Sequence, residues 1–199
     1  MQKLLCAFLG EIIIFGQYLL NMSRESKILS LVLRHKPEVI GITLDKNGWV
    51  LVSDLICGMK NYGRPITMVE LENIVATNDK KRFAFNDDHT KIRANQGHSV
   101  EIDLALTETT PPPILYHGTA QSSVESIKQS GLTKMKRQHV HLSADKETAI
   151  KVGSRHGKPV VLKINTAQML VDGYKFYQAA NGVWLTDKVP YEYISFNYE

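Results

Sequence analysis

Cysteine is scarce in this sequence, which has two cysteines, Cys6 and Cys57, among 199 residues. Two thiols are too few for the disulfide framework of a small secreted domain or for a zinc site built on thiolates. We therefore expect a reduced, cytoplasmic protein.

An excess of one charge sign is also lacking. Lysine and arginine number 24 against 20 aspartates and glutamates, a formal net charge of +4, and 43% of the residues are hydrophobic. These values are typical of a globular chain and exclude a disordered, collagen-like or coiled-coil protein. The small positive charge favours an anionic partner but does not by itself indicate nucleic-acid binding.

The sequence has no apolar run suited to crossing a membrane. The most apolar stretch, residues 4–20, is shorter than the roughly 20 residues of a spanning helix and contains Glu11. No small-residue cleavage site follows it, and Met22-Ser23 resembles a protein start followed by a helix cap. We expect residues 1–21 to be an N-terminal extension outside the fold, with a membrane anchor as the weaker alternative.

The first half of the chain shows three helical segments and then a hairpin. Apolar residues at helical spacing run from Ser23 to His35 and stop at Pro37, and Thr67 is placed to cap a later helix. The predicted segments are helix 23–35, strand 49–52, helix 53–59, a helix from residue 67, and hairpin strands 82–85 and 91–94. This is the order of a winged-helix domain, which we assign to residues 22–107.

A proline-rich segment, residues 108–113, follows and predicts a stiff, extended linker. Beyond it strands and helices alternate, which indicates a second lobe at residues 114–199 and an α+β fold class. The predicted strands are 114–117, 139–142, 159–164, 176–177, 182–185 and 193–196, and the predicted helices are 121–129 and 146–152.

Two clusters in the first lobe carry candidate chemistry. Arg34-His35-Lys36 ends the first helix, and three cations at residues 80–82 enter a strand. Cations at a helix end are commonly a solvated cap, and lysines at a strand edge protect it from aggregation. Both clusters also suit phosphate contacts.

Two further clusters lie in the second lobe. Tyr116-His117-Gly118-Thr119 ends a strand just before a helix, a place where phosphates or a dinucleotide bind, although the G-x-G-x-x-G fingerprint is missing. His139 and His141 share one face of a strand. They either bind a metal, with no nearby carboxylate or cysteine to complete the set, or line a cleft. Arginine and histidine without carboxylates suit holding a phosphate in a transition state.

Seven motifs in order carry a resemblance that covers residues 23–197. The chain closely resembles the RNA 2′-phosphotransferase family, also called tRNA 2′-phosphotransferases, in its bacterial form. The motifs are Leu33-Arg34-His35-Lys36-Pro37-Glu38, Asn78-Asp79-Lys80-Lys81-Arg82-Phe83, Gln96-Gly97-His98-Ser99, Leu115-Tyr116-His117-Gly118-Thr119, His139-Val140-His141-Leu142-Ser143, Arg155-His156-Gly157 and Asn181-Gly182-Val183-Trp184-Leu185-Thr186.

The resemblance implies a winged-helix-like first lobe and an ADP-ribosyltransferase-like, NAD-binding second lobe. It places Val183 near the position where other ADP-ribosyltransferases carry a catalytic glutamate, and it implies no metal. The residues that it implies are, for catalysis, Arg34, His35, Arg82 and Arg137; for NAD, His117, Gly118, Thr119, His141 and Ser143; and for RNA, Gln96 and His98.

The implied reaction transfers an internal 2′-phosphate from RNA, as at a tRNA splice junction, to NAD⁺. An ADP-ribosylated RNA 2′-phosphate forms first, with loss of nicotinamide, and ADP-ribose 1″,2″-cyclic phosphate is then released. We expect a monomer without a membrane partner. Two alternatives stay open: an ADP-ribosyltransferase acting on RNA ends or protein, and a non-catalytic, NAD-sensing winged-helix nucleic-acid binder.

Overall fold

The computed structural model describes residues 24–197, so the expected extension at residues 1–21 lies outside the described residues. Helices and antiparallel sheets are both present, which confirms the α+β class. The chain forms two compact units that divide between Ala94 and Asn95. In residues 24–197 no helix has the length and apolar character needed to cross a membrane.

The first unit has the predicted three helices and hairpin. Its sheet has the order β1-β3-β2, and all pairs are antiparallel. The elements are α1 (24–32), a 3-10 helix (Pro37–Ile40), β1 (Val50–Leu51), α2 (Val52–Asn61), α3 (Met68–Thr77), β2 (Phe83–Phe85) and β3 (Lys91–Ala94). Helix α1 is shorter than predicted, because residues 33–35 form a turn ahead of Pro37.

Local signals in the sequence explain the start of α3 and the packing of the unit. The Thr67 hydroxyl accepts a hydrogen bond from the Glu70 amide, and the Glu70 carboxylate accepts one from the Thr67 amide, a complete capping box. The apolar faces of the helices meet over the sheet in one core, which includes Leu29, Val32, Leu55, Met59, Leu71, Ile74 and Ile92.

The second unit is built from small antiparallel sheets with helices against them. The sheet orders are β11-β7-β4, β6-β9-β8 and β10-β5. The elements are β4 (Ile114–Ala120), a 3-10 helix (Gln121–Ser123), α4 (Val124–Ser130), β5 (Leu132–Thr133), β6 (Val140–Leu142), α5 (Lys146–Gly153), β7 (Pro159–Asn165), α6 (Thr166–Val171), β8 (Tyr177–Gln178), β9 (Trp184–Thr186), β10 (Lys188–Val189), a 3-10 helix (Tyr191–Tyr193) and β11 (Ile194–Asn197). Helix α6 and strands β5 and β10 were not among the predicted elements.

Residues 95–113 belong to the second unit, so the segment predicted as a linker (108–113) lies within that unit. The Gln138 side chain donates to the carbonyl of Ile102 at 2.8 Å. The Thr109 amide donates to the carbonyl of Phe176 at 2.8 Å, and the Ala167 amide donates to Pro113. Proline has no backbone N–H to donate, but its carbonyl is still an acceptor. Here the carbonyl of Pro113 accepts a hydrogen bond from the second unit.

Close contact between β4 and α5 fixes the strand that carries His117. A Cβ atom added to Gly118 would lie 1.7 Å from the Ala149 carbonyl oxygen, and one added to Gly153 would lie 2.7 Å from that of Thr119. Glycine at both positions lets the helix and strand backbones approach at a distance that side chains forbid.

Candidate functional site

In the first unit the structure brings Arg34 and Arg82 to one groove of about 730 Å³. Arg34 lies in the turn after α1, and Arg82 directly precedes β2. The Arg34 Nη2 donates to the Arg82 carbonyl oxygen at 3.4 Å, and the Arg34 guanidinium lies 6.0 Å from the Phe83 ring centre. Both side chains are half-buried. The fold therefore brings Arg34 and Arg82, which are 48 residues apart in sequence, next to each other.

The groove is cationic. Among the described residues that line it, Lys27, Arg34, Lys80 and Arg82 oppose a single carboxylate, that of Asp79. Like charges that line one groove repel each other. A bound anion relieves this repulsion, and guanidinium groups match phosphate with paired hydrogen bonds.

His35 follows Arg34 in the same turn, and its side chain is exposed. Its backbone amide donates to the Leu31 carbonyl at 2.9 Å, which continues the hydrogen bonding of α1. Its sequence position next to Arg34 puts an imidazole at the same helix end.

In the second unit the structure gathers His117, His141 and Arg137. The Nδ1 of His117 on β4 lies 3.0 Å from the carbonyl oxygen of His141 on β6. The Nη1 of Arg137, in the turn before β6, lies 3.3 Å from the Nδ1 of His141. Two strands and a turn thus converge on one polar cluster.

These contacts define the hydrogen-bonding roles of both rings. A carbonyl oxygen accepts only, so Nδ1 of His117 carries the proton and Nε2 is the acceptor of the neutral ring. Arginine donates only, so Nδ1 of His141 is an acceptor and the proton of its neutral form lies on Nε2. Burial lowers the pKa of His117, and the nearby Arg137 charge acts in the same direction, while the bond to the His141 carbonyl opposes both.

The other residues expected at the NAD site surround this cluster in different ways. Thr119 is buried on β4 and shares a face with His117. Gly118 lies on the opposite face, against α5. Ser143 is held to β4 by two backbone hydrogen bonds with Tyr116, at 2.8 and 2.7 Å. Val183 directly precedes Trp184, the partner of Leu142 in the sheet.

His139 directly precedes β6 and lies beside a hollow in the second unit. Its ring packs edge-on against Tyr177 at 6.0 Å between centres, and both residues line a hollow of about 410 Å³ with Leu104 and Gln138. Burial lowers the pKa of His139, against the influence of Asp187. Within residues 24–197 no group of three or more histidine, cysteine or acidic side chains is arranged to hold a metal ion.

The residues expected to contact RNA, Gln96 and His98, lie at the start of the second unit. The His98 side chain is 1% exposed, and its carbonyl accepts a hydrogen bond from the Gln138 amide at 3.2 Å. Gln96 is half-buried, and Gly97 between them has a φ of +87°, in the region that favours glycine.

Sequence reasoning missed Asn78 and Ser26 in the first unit. The Asn78 carboxamide accepts from the Arg82 Nη1 at 3.3 Å and donates to the Ser26 hydroxyl at 3.3 Å. An asparagine before Asp79-Lys80 signals a turn, and nothing in the spacing indicates that its side chain reaches an arginine.

Comparison with known proteins agrees with these observations. A model of the RNA 2′-phosphotransferase, Tpt1/KptA family matches residues 21–188. A protein of Flavobacterium johnsoniae named "Probable RNA 2′-phosphotransferase" is 56% identical over 171 residues, covering 86% of this chain and 94% of that protein. Proteins of the same name from Fusobacterium nucleatum and Burkholderia pseudomallei are 56% and 54% identical, over 88% and 87% of this chain and 99% and 95% of their own lengths. The chain therefore belongs to the RNA 2′-phosphotransferase, Tpt1/KptA family.

Proposed function

We propose that this chain is an NAD-dependent RNA 2′-phosphotransferase that removes an internal 2′-phosphate, as at a tRNA splice junction. The observation that carries the proposal is the groove in which Arg34 and Arg82 lie together, in a chain of this family. The relatives are named as probable RNA 2′-phosphotransferases, and the groove supplies a physical reason for that activity.

Arg34 and Arg82 hold the 2′-phosphate in this proposal. A 2′-phosphate on RNA is an exposed anion that needs paired donors more than it needs a catalytic base. The groove offers guanidinium donors with a single carboxylate among its described lining residues, so the phosphate is bound without competition from many acids. The resemblance adds Arg137 to these two arginines. In this proposal the positive charges of the three arginines, and not a metal ion, neutralise the phosphate.

The His117–His141 cluster fits NAD⁺, which is the phosphate acceptor in this proposal. The acceptor Nε2 of neutral His117 suits a ribose hydroxyl, and its lowered pKa keeps the ring neutral. Thr119 and Ser143 add hydroxyls on and beside the same strand, while Gly118 contributes by letting α5 approach β4.

The chemistry then takes two steps. A 2′-phosphate oxygen attacks C1″ of the nicotinamide-bearing ribose, and nicotinamide leaves with the electrons of the broken C–N bond. The 2″-hydroxyl of that ribose next attacks the phosphorus and loses its proton to solvent, and the RNA 2′-oxygen leaves. His35 gives a proton to this leaving oxygen, which is a suitable task for an imidazole near neutral pH. The products are nicotinamide, RNA with a 2′-hydroxyl and ADP-ribose 1″,2″-cyclic phosphate, and together they contain all the atoms of the reactants.

The fold supports the same proposal. Three helices and a three-stranded antiparallel sheet, whose first strand precedes α2 and whose other two strands follow α3, agree with a winged-helix-like first unit. The small sheets of the second unit suit an ADP-ribosyltransferase-like lobe, with Val183 replacing the glutamate. Because the phosphate brings its own nucleophilic oxygen, that position needs no carboxylate. We propose that the protein acts in the cytoplasm as a monomer and that Gln96 contributes to the RNA site. His98 is 1% exposed, so in this proposal it supports that segment and does not itself contact RNA.

An assay with purified protein, NAD⁺ and an oligonucleotide that carries one internal 2′-phosphate tests the proposal. We expect equal amounts of nicotinamide and dephosphorylated RNA, with no reaction of the matched 2′-hydroxyl oligonucleotide. Nicotinamide release with ADP-ribose left on the RNA as the final product would indicate the ADP-ribosyltransferase alternative. Binding of both ligands without nicotinamide release would indicate the non-catalytic alternative.

Substitution of Arg82 tests the groove separately. Arg82→Ala should lower turnover by about 10²–10³, the usual cost of removing one donor from a developing charge. Arg82→Lys should fail to restore it, because an ammonium lacks the planar fork. Lys81→Ala is the matched control, since Lys81 is an adjacent, exposed cation and should leave turnover near that of the wild type. Normal turnover of Arg82→Ala would remove Arg82 from the site.

A further inference from the structure

Asn78 joins α1, the helix that Arg34 follows, to the loop that carries Arg82. It is the residue at which α3 ends, and its side-chain oxygen accepts from the amides of Lys80 and Arg82 at 3.2 and 3.3 Å. The same oxygen accepts from the Arg82 Nη1 at 3.3 Å. Its amide nitrogen donates to the hydroxyl of Ser26 on α1 at 3.3 Å. One side chain thus contacts α1, the loop backbone and the guanidinium.

Two hydrogen bonds connect the loop at residues 78–82 to α1 and to the turn that follows α1. Asn78 bonds to Ser26 at one end, and the carbonyl of Arg82 accepts from Arg34 at the other. The two bonds align the loop with α1 and form the groove between them, which Ser26, Arg34, Asn78 and Arg82 line. Loss of the Asn78 contacts releases the loop end, and with it the backbone and guanidinium of Arg82.

The acceptor that holds the Arg82 guanidinium, the side-chain oxygen of Asn78, is uncharged. An amide oxygen orients the guanidinium and leaves its full positive charge for a ligand. The bond uses one N–H of the five that a guanidinium carries, so a paired contact with phosphate remains possible. A carboxylate in the same place would orient the group as well but would compensate its charge before the phosphate arrives.

We propose that Asn78 is a positioning residue for the RNA 2′-phosphate: it fixes the Arg82 guanidinium in the groove through a neutral hydrogen bond. The inference rests on the proposed function for the identity of the anion. It rests on the contacts alone for the link between Asn78 and Arg82.

Two substitutions separate positioning from a merely structural role. Asn78→Ala removes every bond of the side chain and should lower both turnover and stability. Asn78→Asp keeps an acceptor for the two loop amides, and the Ser26 hydroxyl can turn to donate to the carboxylate. Asn78→Asp should therefore unfold at close to the wild-type temperature and still lose function, because its charge pairs with Arg82. The matched control is Asn86→Ala, since Asn86 is a half-buried asparagine whose oxygen bonds the Lys91 amide in the hairpin at 2.7 Å.

The measurement is binding, in the absence of NAD⁺, of two oligonucleotides that differ in one internal 2′-phosphate. We expect the wild type to prefer the phosphorylated one, and Asn78→Asp and Asn78→Ala to lose at least about tenfold of that preference, near 1.4 kcal/mol. Asn86→Ala should keep it. Turnover with NAD⁺ is measured in parallel, and the same variants should lose it.

The outcomes distinguish this proposal from the proposed function. A wild type that prefers the 2′-phosphate but does not turn over contradicts the proposed reaction, and the variants then still test Asn78 by binding. A folded Asn78→Asp variant with the wild-type preference overturns the positioning role. So does a wild type that does not distinguish the two oligonucleotides.

Discussion

Gly118→Ala is the substitution whose effect the structure defines most sharply. The new methyl carbon would lie 1.7 Å from the Ala149 carbonyl oxygen and 2.9 Å from the Gly153 amide nitrogen. Unstrained contacts of this kind begin at about 3.4 Å, so β4 and α5 must separate by roughly 2 Å. The displaced helix packs against the strand that carries His117, so both stability and function of the second unit should suffer.

The expected magnitude follows from the cost of overpacking, about 1–3 kcal/mol and occasionally more. For a unit of about 100 residues each kcal/mol lowers the melting temperature by roughly 4–8 °C. We therefore expect a decrease on the order of 10 °C in a thermal unfolding experiment followed by circular dichroism. NAD-dependent turnover should fall as well, measured below the unfolding transition.

Gly173→Ala is the matched control for this experiment. Gly173 also lies in the second unit, has a φ of +85°, and has nothing within 4 Å of an added Cβ atom. Alanine at position 173 should lower the free energy of unfolding only through its left-handed backbone conformation, by roughly 1–2 kcal/mol. If Gly118→Ala unfolds at the wild-type temperature, the close packing of α5 on β4 is not what requires glycine at position 118.

Three further predictions concern a helix cap and two titrating side chains. Thr67→Ala should lower the free energy of unfolding of the first unit by about 0.5–2 kcal/mol, because the capping box with Glu70 is lost; an unchanged urea midpoint would contradict this. His117 should titrate below its ordinary pKa of 6.5 because burial disfavours the charged ring. The unfolded chain then takes up this proton first, so the contribution of His117 to stability is present above pH 6.5 and is lost as the pH falls from 6.5 through the lower pKa of the folded ring. An NMR titration of the ring that gives a pKa above 6.5 would be inconsistent with its burial. The hydrogen bond from the Tyr193 hydroxyl to Asp172 at 2.6 Å raises the pKa of Tyr193 to about 12. The stability that this hydrogen bond adds is present below pH 10 and is lost as the pH rises towards 12. An ultraviolet titration of Tyr193→Phe should lack the tyrosine ionisation near pH 12 that the wild type shows. A normal tyrosine pKa for Tyr193 in the wild type would contradict the bond.

The order of elements was predictable where local signals are strong. The Thr67 cap, the stop at Pro37 and the turn between β2 and β3 are chemical features of neighbouring residues, and the structure confirms them. Helix α6 was missed because six residues that directly follow a strand show no complete apolar period. Strands β5 and β10 contain two residues each and exist through pairing with each other across the chain, which no window of sequence reveals.

The candidate site shows the same division between local and distant information. Residue types alone left Arg34 and Arg82 open between solvated caps and phosphate ligands, and the ordered motifs indicated the family. The contact of Arg34 with Arg82 and the bond from His117 to the His141 carbonyl depend on tertiary packing. The contacts of Asn78 could not be predicted for the same reason, since its partners lie 52 residues before it and 4 residues after it.

The fate of a labelled 2′-phosphate tests the central claim most directly. The substrate is an oligonucleotide whose single internal 2′-phosphate carries radioactive phosphorus, incubated with the full chain and NAD⁺. The proposed reaction predicts that all released label appears in ADP-ribose 1″,2″-cyclic phosphate, in equal amount to the nicotinamide formed. Label released as inorganic phosphate, or label that stays on the RNA while NAD⁺ is present, would contradict it.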